Sequence, residues 1–228
     1  MKKIFCLAFV LLAAVGVLAQ EKTIEKAEFD PILRNSYGKY AGQSYRRTIN
    51  FEDLPTVSNP RKMTRKTVME FAATRGSRSI SEVDSPAIKK KTERIMIGGK
   101  IYTRTNDGDW TEEKLEVPEK KESPLKPVEE EIEYKSLGAE KLNGQSANVY
   151  AKIQRQKRVD EARNSETLTT ITTKYWFGED GGILKEETLY ESRIKSEKRA
   201  TESVFRNLRV SVWEIDPNIK IEAPIPTK

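Results

Sequence analysis

The chain has 228 residues, of which 33% are charged and 36% are hydrophobic, and it contains one cysteine and no histidine. Without histidine it has no imidazole base, no Ser-His-Asp arrangement and no histidine metal ligand. Basic residues number 41 and acidic residues 35. The two signs are interleaved at 112–114, 119–122 and 195–198, which argues against a basic stripe for phosphates, so we expect no nucleic acid partner.

The first residues have the pattern of a secretory signal peptide. Lys2 and Lys3 precede an uncharged run of 15 residues, 4–18, and Ala19 is a small residue at the expected cut. A membrane anchor is the alternative, but the run is shorter than the about 20 residues that a helix needs to cross a bilayer. We therefore predict cleavage after Ala19 and a periplasmic or secreted protein with no transmembrane segment in the mature chain. The only cysteine, Cys6, is lost with the signal.

We expect residues 20–228 to form a single β domain, because a chain of that length can bury one core without disulfides. Asp30 and Pro31 are typical of a helix start, an N-cap acceptor followed by proline at the first helical position, and Gly42 is a suitable end. The sequence therefore predicts a helix over about 30–41. Its apolar stripe consists of Ile32, Leu33, Tyr37 and Tyr40.

From Ser44 onward, apolar and polar residues alternate with the period of two that is typical of β-strands. The sequence predicts at least eight strands, within the segments 67–74, 92–97, 100–105, 132–137, 141–143, 147–153, 167–177, 183–190 and 204–213 and in a segment that opens at Trp110. The reversals are expected at Gly98-Gly99, 106–109, Asn143-Gly144 and 179–182. We predict a mainly β fold: one large curved antiparallel sheet or open half barrel, with one or a few short helices packed on its concave face.

Two charged segments interrupt this pattern. Residues 117–131 carry Pro118, Pro124 and Pro127 among Lys and Glu, and proline cannot donate to a strand ladder. We interpret this segment as a connector, either a solvated loop or a short charged helix, with a lid as the alternative. Residues 193–201 are expected to form a solvated hairpin tip.

No pattern indicates catalysis. The sequence has no GxSxG, SxxK or P-loop motif, and residues 106–109 are better explained as a hairpin turn than as part of a calcium loop. Carboxylates and lysines are too frequent for their presence to be informative. We therefore predict a protein that is not an enzyme, with no cofactor and no metal site.

Aromatic residues are concentrated in the predicted strands, where burial in a core is their ordinary role. A sheet of eight or more strands nevertheless has a wide face, and one short helix covers little of it. An apolar face left partly uncovered is a binding surface for a lipid or acyl chain. The candidate ligand-lining residues are Met69, Phe71, Ile95, Ile97, Tyr102, Trp110, Tyr175 and Phe177.

Three hairpins in order resemble those of the periplasmic lipoprotein carrier superfamily, the LolA-like and LppX-like open β-barrels. They are Ile97–Tyr102 leading to Asp107–Trp110, the Leu137-Gly138 step with Leu142–Gln145 and Val149-Tyr150, and Lys174–Phe177 with Asp180–Lys185. The resemblance implies an eleven-strand half barrel around helices, with an apolar cavity that shields the acyl chains of a lipid or lipoprotein.

Two functions remain open from the sequence. The first is a non-catalytic carrier or sensor that binds an acyl chain, lipid or lipoprotein. The second is a structural or interaction protein of the cell envelope with a filled core, which contacts a partner protein through a sheet edge or the charged tip at 193–201.

Overall fold

A computed structural model of the chain describes residues 21–60, 62–74, 76–114, 129–160, 164–196 and 201–224. The predicted signal peptide and residues 117–128 of the predicted connector lie outside the described residues. Along the chain, the elements are β1 (Lys22–Ile24), α1 (Lys26–Gly38), β2 (Tyr45–Leu54), β3 (Thr64–Phe71), β4 (Ser77–Asp84), β5 (Lys89–Ile97), β6 (Lys100–Thr105), β7 (Thr111–Lys114), β8 (Glu129–Leu142), β9 (Gln145–Asp160), β10 (Ser165–Phe177), β11 (Ile183–Ser196) and β12 (Ser203–Ile215).

The twelve strands of the described residues belong to one antiparallel sheet with the order β1-β8-β9-β10-β11-β12-β2-β3-β4-β5-β6-β7. Strands adjacent in the chain are neighbours from β2 to β7 and from β8 to β12. The pairing of β12 with β2 joins these two meanders, and β1 and β7 form the two edges. The predicted open antiparallel sheet with a short helix is confirmed, with twelve strands in place of eleven.

The predicted hairpins form where the turn residues allow them. Gly98 and Gly99 have φ of +59° and +75°, and Asn143 and Gly144 have φ of +51° and +84°. Both pairs have the positive φ values that a two-residue hairpin loop of type I′ requires, which glycine and asparagine adopt most easily.

The helix differs from its prediction, since α1 begins at Lys26 and ends at Gly38. Pro31 is therefore inside the helix, not at its first position. The cost is limited because Ala27, whose carbonyl loses its partner to Pro31, is exposed and can bond water. The earlier start places Phe29, which is 1% exposed, in the core.

Other strand boundaries were also predicted wrongly. β4 was not predicted at all, because its Ser-rich sequence has little apolar alternation. Residues 129–131 belong to β8 and not to the connector, and residues 193–196 belong to β11 and not to a solvated tip. Neighbouring strands satisfy the backbone of these charged segments, so the charge pattern alone was misleading.

The two faces of the sheet are covered by different segments of the chain. We call the side on which α1 lies the helix-bearing face, and its cluster contains Phe29, Tyr134, Tyr175 and Trp213. On the opposite face the segment after β12 packs Ile219 and Ile221 on Ile95 and Tyr102. A smaller cluster on that same face contains Ala147, Val149 and Trp176. In the described part of the chain, no helix has the length and apolarity needed to cross a membrane.

Candidate ligand-binding face

The candidate lining residues are divided between the two faces. Met69, Phe71, Tyr175 and Phe177 lie on the helix-bearing face. Ile95, Ile97 and Tyr102 lie on the opposite face, and Trp110 packs with them against the C-terminal segment. The expectation that all of them share one inner face is wrong. Because β4 was not predicted, the sequence could not show which side chains of β5 and β6 share a face with those of β3. Their role in ligand binding stays a prediction.

Aromatic rings fill the part of the helix-bearing face beneath α1. The ring of Phe29 lies 5.0 Å from that of Tyr134 and 5.6 Å from that of Tyr175, centroid to centroid. The rings of Tyr175 and Phe177 stack at 6.1 Å. These separations are typical of favourable aromatic pairs. Beneath the helix the face is therefore a filled core.

Beyond the helix, the aromatic contacts continue onto uncovered sheet. The ring of Tyr40 lies 4.9 Å from that of Tyr45, which stacks on Phe71 at 4.6 Å with an interplanar angle of 17°. Tyr40 is fixed by the hydrogen bond that its hydroxyl donates to the carbonyl of Ile183. Tyr45 and Phe71 therefore extend the apolar surface from the core onto β2 and β3.

Phe71 also lines a pocket of about 350 Å³ at the end of the sheet. Its lining consists of Phe71, Ala72, Gly76, Ser77, Met96, Ile97, Gly98, Gly99 and Lys100. The pocket is continuous with the aromatic surface through Phe71. Sequence reasoning missed Tyr45 and Met96. The signal for Met96 is the alternation of β5, which places Met96 on the face opposite to Ile95 and Ile97.

Two further depressions lie elsewhere on the sheet. One of about 460 Å³ is lined by Asp53, Asn59, Lys62, Met63, Ser85, Pro86 and Ala87. One of about 390 Å³ is lined by Glu129, Glu130, Glu131, Arg155, Gln156, Lys157, Leu168, Thr169 and Thr170. Neither of these two linings contains an aromatic residue, whereas the pocket at Phe71 adjoins the Tyr45–Phe71 stack.

A buried carboxylate connects α1 to the sheet. Glu186 is 5% exposed, and it accepts hydrogen bonds from Arg209 Nη2 at 2.5 Å and from the Tyr37 hydroxyl at 3.2 Å. Burial, and after it the charge of Glu186, raises the pKa of Tyr37. The same two causes raise the pKa of Tyr175 to about 12. Both phenols are therefore neutral and can act as donors at physiological pH.

Arg47 lies beside this cluster without a carboxylate partner in the described part of the chain. Its guanidinium carbon is 4.5 Å from the centroid of Trp213, and its Nη2 donates to Ser211 Oγ at 3.2 Å. The Nε atom is buried and has no hydrogen-bond partner. The helix-bearing face thus combines an apolar surface with a cation that no carboxylate of the described residues neutralises.

No protein-family model and no curated protein matches the chain. Among solved structures, a LolA superfamily protein from Nitrosomonas europaea shares 9% identity at a TM-score of 0.30, covering 87% of this chain and 96% of that one. An outer membrane lipoprotein-sorting protein domain from Vibrio parahaemolyticus shares 11% identity at 0.30, covering 83% and 93%. A DUF1329 family protein from Desulfovibrio piger shares 10% identity at 0.26, covering 86% and 94%. The first of these structures bears the name of the superfamily that the hairpins resemble.

Proposed function

We propose that the protein is exported and acts as a non-catalytic carrier or sensor that binds an acyl chain of a lipid or lipoprotein on its helix-bearing face. The observation that carries the proposal is the Tyr45–Phe71 stack. It joins the buried aromatic core beneath α1 to an open pocket of about 350 Å³. Pockets that bind small ligands have volumes from about 300 Å³ upward. Part of an acyl chain fits this space.

Burial of apolar groups alone is sufficient for an acyl chain to bind here, without a polar contact. Each methylene that leaves water contributes about 0.8 kcal/mol, so even a few methylenes placed against Phe71, Met96 and Ile97 give measurable affinity. The lining is suited to this, because methionine adapts to irregular shapes and the aromatic rings are held by their stacking. Of the candidate residues, we retain Phe71, which lines this pocket, and Met69, which lies two residues from Phe71 on the same face of β3.

Two measurements test the proposal. Native mass spectrometry of the protein purified from the cell envelope should show co-purifying lipid. A fluorescent fatty-acid probe should bind the wild-type protein and bind Phe71→Glu much more weakly.

The matched control is Phe205→Glu, since Phe205 is 38% exposed and lies on β12, far from the pocket. Circular dichroism establishes that both variants are folded. A clean mass together with no probe binding by the wild-type protein would contradict the proposal.

The second candidate is a structural or interaction protein without a ligand. It is favoured by the filled floor beneath α1, where Phe29 and Phe177 are 1% and 2% exposed. On this view the helix completes the core, and an edge strand or the end of the β11–β12 hairpin contacts a partner protein. Failure of both lipid measurements would favour it.

A further inference from the structure

The register of the sheet places a basic row directly beside the apolar end of the helix-bearing face. The end row consists of Tyr45, Phe71, Ser77, Met96 and Ile101, which are paired across β2 to β6. The neighbouring row on the same face, two residues further along each strand, consists of Arg47, Met69, Ser79 and Arg94. Residues two apart on a strand are separated by about 6.6 Å and neighbouring strands by about 4.8 Å. A group bound at Tyr45 or Phe71 is therefore within reach of Arg47, and a group bound at Met96 is within reach of Arg94.

The arginines of the opposite face differ in their pairing. Arg46 contacts Glu70 at 3.0 Å, and Arg78 and Arg104 contact the buried Glu93 at 2.5 and 2.6 Å. These cations are neutralised by carboxylates on adjacent strands. They therefore belong to the packing of that face and leave little charge for a ligand.

Arg47 and Arg94 have no such partner among the described residues. Arg47 follows Arg46 in the chain and Arg94 follows Glu93, and both Arg46 and Glu93 belong to the ion pairs of the opposite face. Because successive side chains of a strand alternate, Arg47 and Arg94 lie on the helix-bearing face. Glu186, the buried carboxylate on that face, is already bound by Arg209 and Tyr37. Arg94 is exposed, and the buried Nε of Arg47 lacks an acceptor.

We propose that this face binds an anionic amphiphile, with its acyl chain on the end row at Phe71 and Met96 and its acidic head group at the guanidinium group of the next row that lies nearest to it, that of Arg47 or Arg94. The inference rests on the proposed function and adds the charge of the ligand to it. A guanidinium binds a carboxylate or a phosphate by the same charge-assisted hydrogen bonds. The head group can thus come from a free fatty acid or from an anionic phospholipid.

The test compares a fluorescent long-chain fatty acid with its uncharged methyl ester. We expect the wild-type protein to bind the acid more tightly than the ester. In the Arg47→Gln/Arg94→Gln variant, affinity for the acid should fall about tenfold or more, as expected for the loss of hydrogen bonds to a charged group, while affinity for the ester is retained. Lys66→Gln is the matched control, because Lys66 lies on β3 and faces the other way.

Competition separates the two sources of the head group. Displacement of the acid probe by phosphatidylglycerol and not by phosphatidylcholine indicates an anionic phospholipid, whereas no displacement by either indicates a free fatty acid. Equal binding of acid and ester by the wild-type protein, or unchanged affinity of the double variant for the acid, would overturn the head-group site and leave the proposed function standing. If neither acid nor ester binds, the proposed function itself fails.

Discussion

The hydroxyl of Tyr37 on α1 donates a 3.2 Å hydrogen bond to the buried carboxylate of Glu186 on β11. Glu186 is held from the sheet side by Arg209 at 2.5 Å, so this contact makes a charged group of the sheet part of the helix attachment. Apolar packing around Phe29 supplies the remaining attachment. The two contributions can be separated by substitution.

Removal of the Tyr37 hydroxyl should have a small effect, and removal of the Glu186 carboxylate a larger one. Tyr37→Phe leaves Glu186 paired with Arg209 and should lower the free energy of unfolding by about 1 kcal/mol. Glu186→Ala leaves both Arg209 and the Tyr37 hydroxyl without their acceptor and should lower the free energy of unfolding by roughly 3 kcal/mol. Urea unfolding followed by circular dichroism measures both, and equal losses would show that the phenol contact dominates.

Phe29 should be the most sensitive apolar position of α1. It is 1% exposed and contacts the rings of Tyr134, Tyr150 and Tyr175, so Phe29→Ala should cost about 3–5 kcal/mol through lost transfer energy and the cavity left behind. The measurement is chemical denaturation. Ala27→Gly, at an exposed position of the same helix, serves as the control and should cost about 1 kcal/mol; a comparable loss there would argue against the filled floor.

The sequence predicted the antiparallel sheet, most hairpins and the helix because each depends on local chemistry, as Gly98-Gly99 shows. It could not relate the faces of distant strands. β4 has no apolar alternation to mark it, so the side to which Ile95 and Tyr102 point, relative to Phe71, was undetermined. Likewise, the burial of Glu93 and the contacts of the Arg47 guanidinium with Ser211 and Trp213 depend on cross-strand neighbours that no local pattern contains.

Glu93 should make stability depend on acid pH. Burial alone would raise the pKa of this carboxyl, but hydrogen bonds and charges from Arg104 and Arg78 more than offset burial, so its pKa is lowered in the folded protein. A lowered folded pKa means that stability is present above the unfolded pKa and is lost as pH falls through the folded value. Unfolding measured between neutral and strongly acidic pH should therefore show a decline in the wild-type protein that is smaller in Glu93→Gln.

At neutral pH the same variant should be less stable, by roughly 3 kcal/mol, because two partly buried arginines lose their shared carboxylate. Glu112→Gln is the matched control, since Glu112 pairs with Lys100 at the exposed β6–β7 edge and should change stability little. A Glu93→Gln variant with the acid profile of the wild-type protein would show that other carboxylates cause the decline.

Gly76 should be intolerant of a side chain because the C-terminal segment crosses directly over it. A Cβ at this position would lie 3.2 Å from Cβ and 3.3 Å from Cγ2 of Ile221, closer than ordinary packing allows. Ile221 is buried on Ile95 and Tyr102, so it cannot move without opening that cluster. Gly76→Ala should therefore destabilise by about 1–3 kcal/mol, measured by urea unfolding.

A double-mutant cycle distinguishes displacement of the segment from a local backbone effect at Gly76. If Ile221 is the obstacle, Gly76→Ala should cost much less in an Ile221→Gly background, since the side chain that it meets is gone, and the coupling should be about 1 kcal/mol or more. Additive effects of the two substitutions would instead place the cost within the turn between β3 and β4. Gly38→Ala is the control, because a Cβ there meets no atom within 4 Å.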